Sequence, residues 1–459
     1  MPDANAREFL LRSLGDREWA VRSAAAVALG RTGANEAFPK LLRLYTEKRV
    51  DVRRSAGLAV GMLREPIVAK DLGAVLFDPA EKEDLRAVAA LSLGLLGGAE
   101  AAAELERFLD PAADSLRQGG IRRTALLKET SVAALGLAGH APSAAVLVKI
   151  LADPEAKDRA RAFAAEALAK LGDRKSLPVL LQALRADPEV LRRSAATAVG
   201  VVANAGDAAA IAELARAAKD DRDASVRRYA LLSLGRIGGE TVAPILNRFL
   251  GTGNAGDRPF VVLATGLAGA KASAPTLRAM LERETNPELR GALAISLGLL
   301  ADPEAGAALA AGAREKSNPV VRMHFVTALS LSGHAEVAAI SREILAKESY
   351  DALRIRAATC LAIAGGVDGI TALTKVTKEG CCPFCRADAA RALGRLGDPA
   401  ALPALMTLAK EAREVPLRAE SVWAIGRILD DQEISAFARI AMDGSFPMLR
   451  GPMRAAMKV

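Results

Sequence analysis

The sequence predicts an all-α solenoid of about thirteen two-helix repeats, on three observations. One phrase returns along the chain; its first copy runs from Val21-Arg22 to Ala28-Leu29-Gly30. Copies start at 21, 52, 85, 127, 160, 191, 226, 257, 289, 321, 355, 385 and 417, a mean spacing of about 33 residues, which marks stacked helical units. The composition agrees: 51% of residues are apolar but only 3% aromatic, so the core must be built mostly from Ala, Leu, Val and Ile in thin helical layers.

Each unit opens with an amphipathic segment, as in Ser176-Leu-Pro-Val-Leu-Leu-Gln-Ala-Leu-Arg185. A turn such as Asp187-Pro188-Glu189 follows, with a capping residue and a proline suited to the first helical position. The recurrent phrase is then the second helix. Counting its first residue as zero, positions zero, three, four, seven and eight form one apolar stripe, and position five is also small or apolar. Position seven is only ever Ala or Ser. Position nine is Gly in ten of the thirteen copies, with Ala169, Ser330 and Ala364 as substitutes. Glycine inside a helix costs about 1 kcal/mol against alanine, so close helix contact must offset it. A second glycine three residues on (Gly33, Gly97, Gly139, Gly172, Gly238, Gly269, Gly333, Gly397) stands where a left-handed cap turns the chain into the next helix. The whole chain, 1–459, reads as one such array, with irregular segments near 110–126, 251–259 and 378–385. The unit ending at Val459 is incomplete.

The charge balance, 62 Lys+Arg against 54 Asp+Glu, leaves a net +8, which permits a polyanion partner without demanding one. The N-terminus shows no basic segment followed by an apolar stretch, and the longest uncharged apolar run, 87–99, is too short to span a bilayer. Four cysteines confined to positions 360–385 do not form a disulfide framework. A protein of the cytoplasm, without membrane insertion, is expected.

The paired helices, the Asp-Pro or Asn-Pro turn and the Val-Arg-x-x-Ala-Ala-x-Ala-Leu-Gly phrase resemble HEAT repeats, particularly the short bacterial kind related to phycobilin-lyase repeats. The resemblance covers essentially the whole chain and implies a right-handed superhelix. It specifies function weakly, since the family hosts scaffolds, transport adaptors, lyases, hydroxylases and DNA glycosylases. The deoxyhypusine-hydroxylase type implies iron-binding His-Glu pairs, yet none of His140, His324 and His334 precedes Glu. Glycosylases of this kind imply clustered aromatics, whereas Trp19 and Trp423 fall in the first and thirteenth repeats. A phycobilin-lyase-like enzyme stays as an alternative with no motif for a bilin pocket. No catalytic residue and no cofactor is predicted.

Three features carry candidate function. Position one is basic in every copy: Arg22, Arg53, Arg86, Lys128, Arg161, Arg192, Arg227, Arg258, Arg290, Arg322, Arg356, Arg386 and Arg418. The early turns of a helix disfavour cations, so this row is expected to be a structural ladder paired with carbonyls or with carboxylates such as Asp187 and Asp223. The alternative is a nucleic-acid or phosphate binder, helped by the neighbouring Arg54, Arg193 and Arg228. Second, position six is mostly apolar (Leu58, Leu91, Leu232, Leu263, Ile295, Leu361, Trp423) and lies nearly opposite the core stripe, so it is either a groove for a partner protein or buried between repeats. Third, Cys381, Cys382 and Cys385 contain one C-x-x-C. A tetrahedral zinc site would need Cys360 as well, and a thioredoxin-like redox pair lacks its βαβ context. In register, Cys385 sits at position zero and Cys360 at position five, which reads both as small core residues. The leading expectation is a non-enzymatic protein-binding scaffold of unknown partner.

Overall fold

The computed structural model describes residues 2–110, 123–252, 254–315, 318–366 and 368–430. Most of the irregular segment expected near 110–126, namely 111–122, and the chain beyond 430 lie outside them. Among the described residues every regular element is helical, and the contacts divide the chain into two units.

The first unit holds residues 2–202 and 405–430. Its second helices are Trp19–Arg31, Val50–Met62, Glu83–Leu96, Ala125–Ala138, Asp158–Leu171 and Glu189–Val202, each packed on the one before. First helices such as Phe38–Tyr45, Ala69–Phe77 and Ala144–Ala152 pack on the second helices of their own repeats. The last helix among the described residues, Val415–Ile428, joins this unit by packing on Trp19–Arg31, next to the first repeat. The second unit holds 203–404 and repeats the scheme with Ala224–Ile237, Arg258–Leu267, Pro287–Leu299, Pro319–Leu331, Asp351–Ile363 and Pro383–Leu396.

Local chemistry sets the helix ends. Asn286 accepts from the backbone N–H of Glu288 and Leu289, Asn318 from that of Val320 and Val321, and Asp223 from that of Val226, so the first orphan donors of these helices are satisfied. At the other end Gly139, Gly172 and Gly397 adopt the left-handed cap, with φ of 67°, 68° and 71°. Gly97 and Gly238 also have positive φ, but with ψ of −178° and −162° they lead the chain away extended rather than as left-handed caps.

The two small positions of the phrase are two sides of one contact. A Cβ placed on Gly30 would lie 2.7 Å from the Cα of Ala59, and one on Gly298 would lie 2.7 Å from the Cα of Ala328. Gly61 meets Ser92, Gly94 meets Ala134, Gly136 meets Ala167, Gly235 meets Ala264 and Gly266 meets Ser296 in the same way. Position nine of one repeat thus touches position seven of the next: at these glycines a Cβ alone already meets backbone, and at position seven a side chain larger than Ala or Ser would force the helices apart. Gly426 of the thirteenth repeat makes this contact with Ala28 of the first.

Candidate functional site

The basic row is built from the helix ends upward. Arg86, Arg161, Arg322, Arg386 and Arg418 each donate from Nε to a backbone carbonyl at or near the end of their own first helix: Leu76, Leu151, Ala313, Thr377 and Ala409. Those carbonyls are the unpaired groups left by any helix C-terminus, so the guanidinium satisfies them and complements the dipole there. The remaining nitrogens reach the turn of the next repeat. Arg22 meets Glu47 at 2.5 Å, Arg290 meets Glu315 at 2.7 Å and Arg322 meets Glu348 at 2.6 Å. Arg418 reaches Asp16, so the last repeat treats the first as its successor. The buried Arg356 donates to the Thr327 hydroxyl at 2.6 Å.

Arg192 donates to the backbone carbonyls of Ala186 and Asp187, partners of the expected carbonyl kind, whereas Asp223 caps its helix and Arg227 turns to Asp257 instead. Lys128 and Arg258 are exposed and are corrections to the ladder; the helix at 258 starts late because Asp257, not an aliphatic residue, fills position zero. Arg53 buries an Nε that has no hydrogen-bond partner. Of the neighbouring arginines, Arg228 is tied to Asp257 at 2.9 Å, Arg54 is exposed beside Asp84 at 3.2 Å, and Arg193 is half-buried.

Position six divides by unit. In the second unit Leu232, Leu263, Ile295 and Leu361 are at most 1% exposed, which corrects their assignment as partner contacts: they are core. In the first unit Val27, Leu58, Leu91, Ala133 and Trp423 are half-exposed. Because Val415–Ile428 packs on Trp19–Arg31, Trp423 stands on the helix next to Val27, and the apolar strip runs over five successive helices. Trp19 and Trp423, distant by repeat number, therefore stand on neighbouring helices, which corrects the expectation that repeat number keeps them apart. Ala28 and Gly426 carry the same small residues at positions seven and nine as the repeats between them.

The cysteines form a second constellation. Cys381 and Cys382 lie in the turn after the helix Asp368–Glu379, and Cys385 in the first turn of Pro383–Leu396. The Cys382 thiol caps that helix, accepting from the Cys385 backbone N–H at 3.3 Å. Cys385 Sγ lies 3.3 Å from Cys382 Sγ and 3.5 Å from Cys381 Sγ. The buried carboxylate of Asp351 accepts from the Cys381 backbone N–H at 2.6 Å. Cys360 is fully buried on Asp351–Ile363 and is not one of the converging group, a correction to the four-cysteine set. Cys382 is held below the ordinary thiol range by the Cys385 N–H and then by the Cys385 thiol. Burial first, then the two neighbouring thiols, pushes Cys385 up. Cys381 is held up despite its hydrogen bond with Cys385, because Asp351 and burial oppose its ionisation.

Among the described residues no helix is long and apolar enough to cross a membrane. A model of HEAT repeats matches residues 1–61, 123–200, 189–264, 258–330, 274–362 and 370–458. No curated protein matches the chain. Among solved structures, human deoxyhypusine hydroxylase in complex with glycerol is similar at 28% identity and a TM-score of 0.28, over 60% of this chain and 99% of that one. The complex of CpcE and CpcF of phycocyanin lyase from Nostoc sp. PCC7120 is similar at 20% identity and a TM-score of 0.34, over 57% of this chain and 93% of that one.

Proposed function

The chain belongs to the HEAT-repeat family, and from that premise we propose that it is a protein-binding scaffold or adaptor with no catalysis of its own. The observation that carries this reading is the strip Trp423, Val27, Leu58 and Leu91, left half-exposed in the first unit while Leu232, Leu263, Ile295 and Leu361 of the same register in the second are buried. A row of apolar side chains on successive helices suits a partner's helix or extended segment, bound by burial and therefore tolerant of salt. The nucleic-acid alternative loses support because the guanidinium groups of the basic row are directed to carbonyls and carboxylates within their own unit. A cytoplasmic location is part of the proposal, supported by cysteines clustered late in the chain rather than spread as a disulfide framework.

The test is affinity capture from source-cell lysate at low and high salt, with wild type, Leu58→Glu/Leu91→Glu and, as a control on a first helix, the exposed Leu42→Glu. A discrete partner should survive high salt with wild type and Leu42→Glu. The double variant should lose it, at a cost of about 2 kcal/mol or more, roughly thirtyfold in affinity. Capture of nucleic acid that falls away with salt, or a partner indifferent to the double variant, would sink the proposal.

A further inference from the structure

We propose that Cys381, Cys382 and Cys385 form a three-thiolate site for a thiophilic divalent cation, Zn2+ being the cellular species, with its fourth position open to solvent. Three observations lead there. The ligating atoms of the three residues all lie within 4.8 Å of one another, the only such group among the described residues. Zinc holds thiolates at about 2.3 Å, which sets tetrahedral sulfurs about 3.8 Å apart, so the pairs at 3.3 and 3.5 Å need to open by only a few tenths of an ångström.

Register supplies the second observation. At position zero every other described repeat buries its residue, from Val21 at 1% to Leu417 at 0%, whereas Cys385 is only partly buried. Its thiol is therefore not spent on the core, which corrects the reading of Cys385 as a packing residue. Cys360, at position five of the preceding repeat, is the cysteine that does serve the core.

The third observation is that the turn is fixed before any ion arrives. Asp351 holds the backbone of Cys381, and Arg386 donates to the Thr377 carbonyl at 2.8 Å across the same turn. Gly380 is enclosed, its missing Cβ being 2.8 Å from the Val376 carbonyl oxygen and 3.0 Å from Arg386 Cγ. Three sulfurs held in one short turn lose little freedom on binding an ion, and the N-terminal end of Pro383–Leu396 favours negative charge on them. Cys381 is exposed, which leaves the open coordination position facing water.

The test uses the full chain, reduced and metal-free. Zn2+ is titrated in competition with a chromophoric chelator, and Cd2+ is added separately to read thiolate-to-metal absorption in the ultraviolet. One equivalent is expected, with Cys381, Cys382 and Cys385 then protected from alkylation as read by mass spectrometry. Cys382→Ser and Cys385→Ser should each weaken Zn2+ binding by at least about tenfold, and Cys360→Ser should leave it unchanged. Circular dichroism of the metal-free variants keeps loss of ligand apart from loss of fold. Absence of stoichiometric binding, binding indifferent to Cys385→Ser in a folded variant, or binding lost with Cys360→Ser overturns the proposal.

Discussion

Gly298→Leu is expected to lower stability by about 3 kcal/mol, the upper end of what overpacking a filled interface costs. The missing Cβ would sit 2.7 Å from both the Cα and the carbonyl oxygen of Ala328, so the obstacle is backbone and cannot rotate away. A leucine there must push Pro287–Leu299 off Pro319–Leu331, and in a repeat array each helix pair depends on its neighbours for burial. Urea unfolding should show a lower midpoint for the second unit. Gly251→Ala is the control: nothing lies within 4 Å of its Cβ, and a helical alanine is favoured over glycine, so that change should be neutral or slightly stabilising. Equal behaviour of the two variants would reject the helix register.

Asp257→Ala is expected to cost about 2–3 kcal/mol. Asp257 is 4% exposed and accepts from Arg227 Nε at 2.7 Å and from Arg228 Nε at 2.9 Å. Removing one partner of a buried ion pair costs about 3–5 kcal/mol because the other charge is left without compensation. Here the Arg227 and Arg228 side chains are 17% and 27% exposed, so water recovers part of that loss. Chemical denaturation of Asp257→Ala and Asp257→Asn should rank them with alanine the less stable. A cost below about 0.5 kcal/mol for alanine would show that the carboxylate is a surface feature, contrary to its burial.

Much of the fold was legible because the constraints that build a repeat are local. The alternation of one glycine inside the second helix and another after it encodes a close approach and a turn, and both are read from spacing alone. What spacing does not encode is which repeat becomes whose neighbour. Arg418 at the C-terminal end finds its carboxylate in Asp16, and Trp423 joins the strip of Val27 and Leu58, because Val415–Ile428 packs beside the first repeat. The ladder was legible in residue type but not in partner, since the carboxylate reached by Arg22, Arg290 or Arg322 belongs to the next turn, whose length varies. Position six gave no sign of its burial in the second unit, because an apolar residue suits a groove and a core equally well. The cysteines divided for a related reason: Cys360 and Cys385 are both small and sulfur-bearing, and only the partial exposure of Cys385 separates packing from a site.

A double-mutant cycle between Gly426 and Ala28 asks whether repeats meet by position nine against position seven, and whether the thirteenth repeat meets the first in the same way. Gly426→Ala would press a methyl against the Ala28 Cβ, 2.6 Å from its Cα, and Ala28→Gly removes the first of these two obstacles. Stabilities of wild type, both single variants and the pair are measured by urea unfolding. The predicted result is a coupling of about 0.5–3 kcal/mol, with Gly426→Ala destabilising in the wild type and markedly less so when residue 28 is glycine. Additive effects within about 0.3–0.5 kcal/mol would contradict it, because residues at opposite ends of the chain couple only if their helices touch.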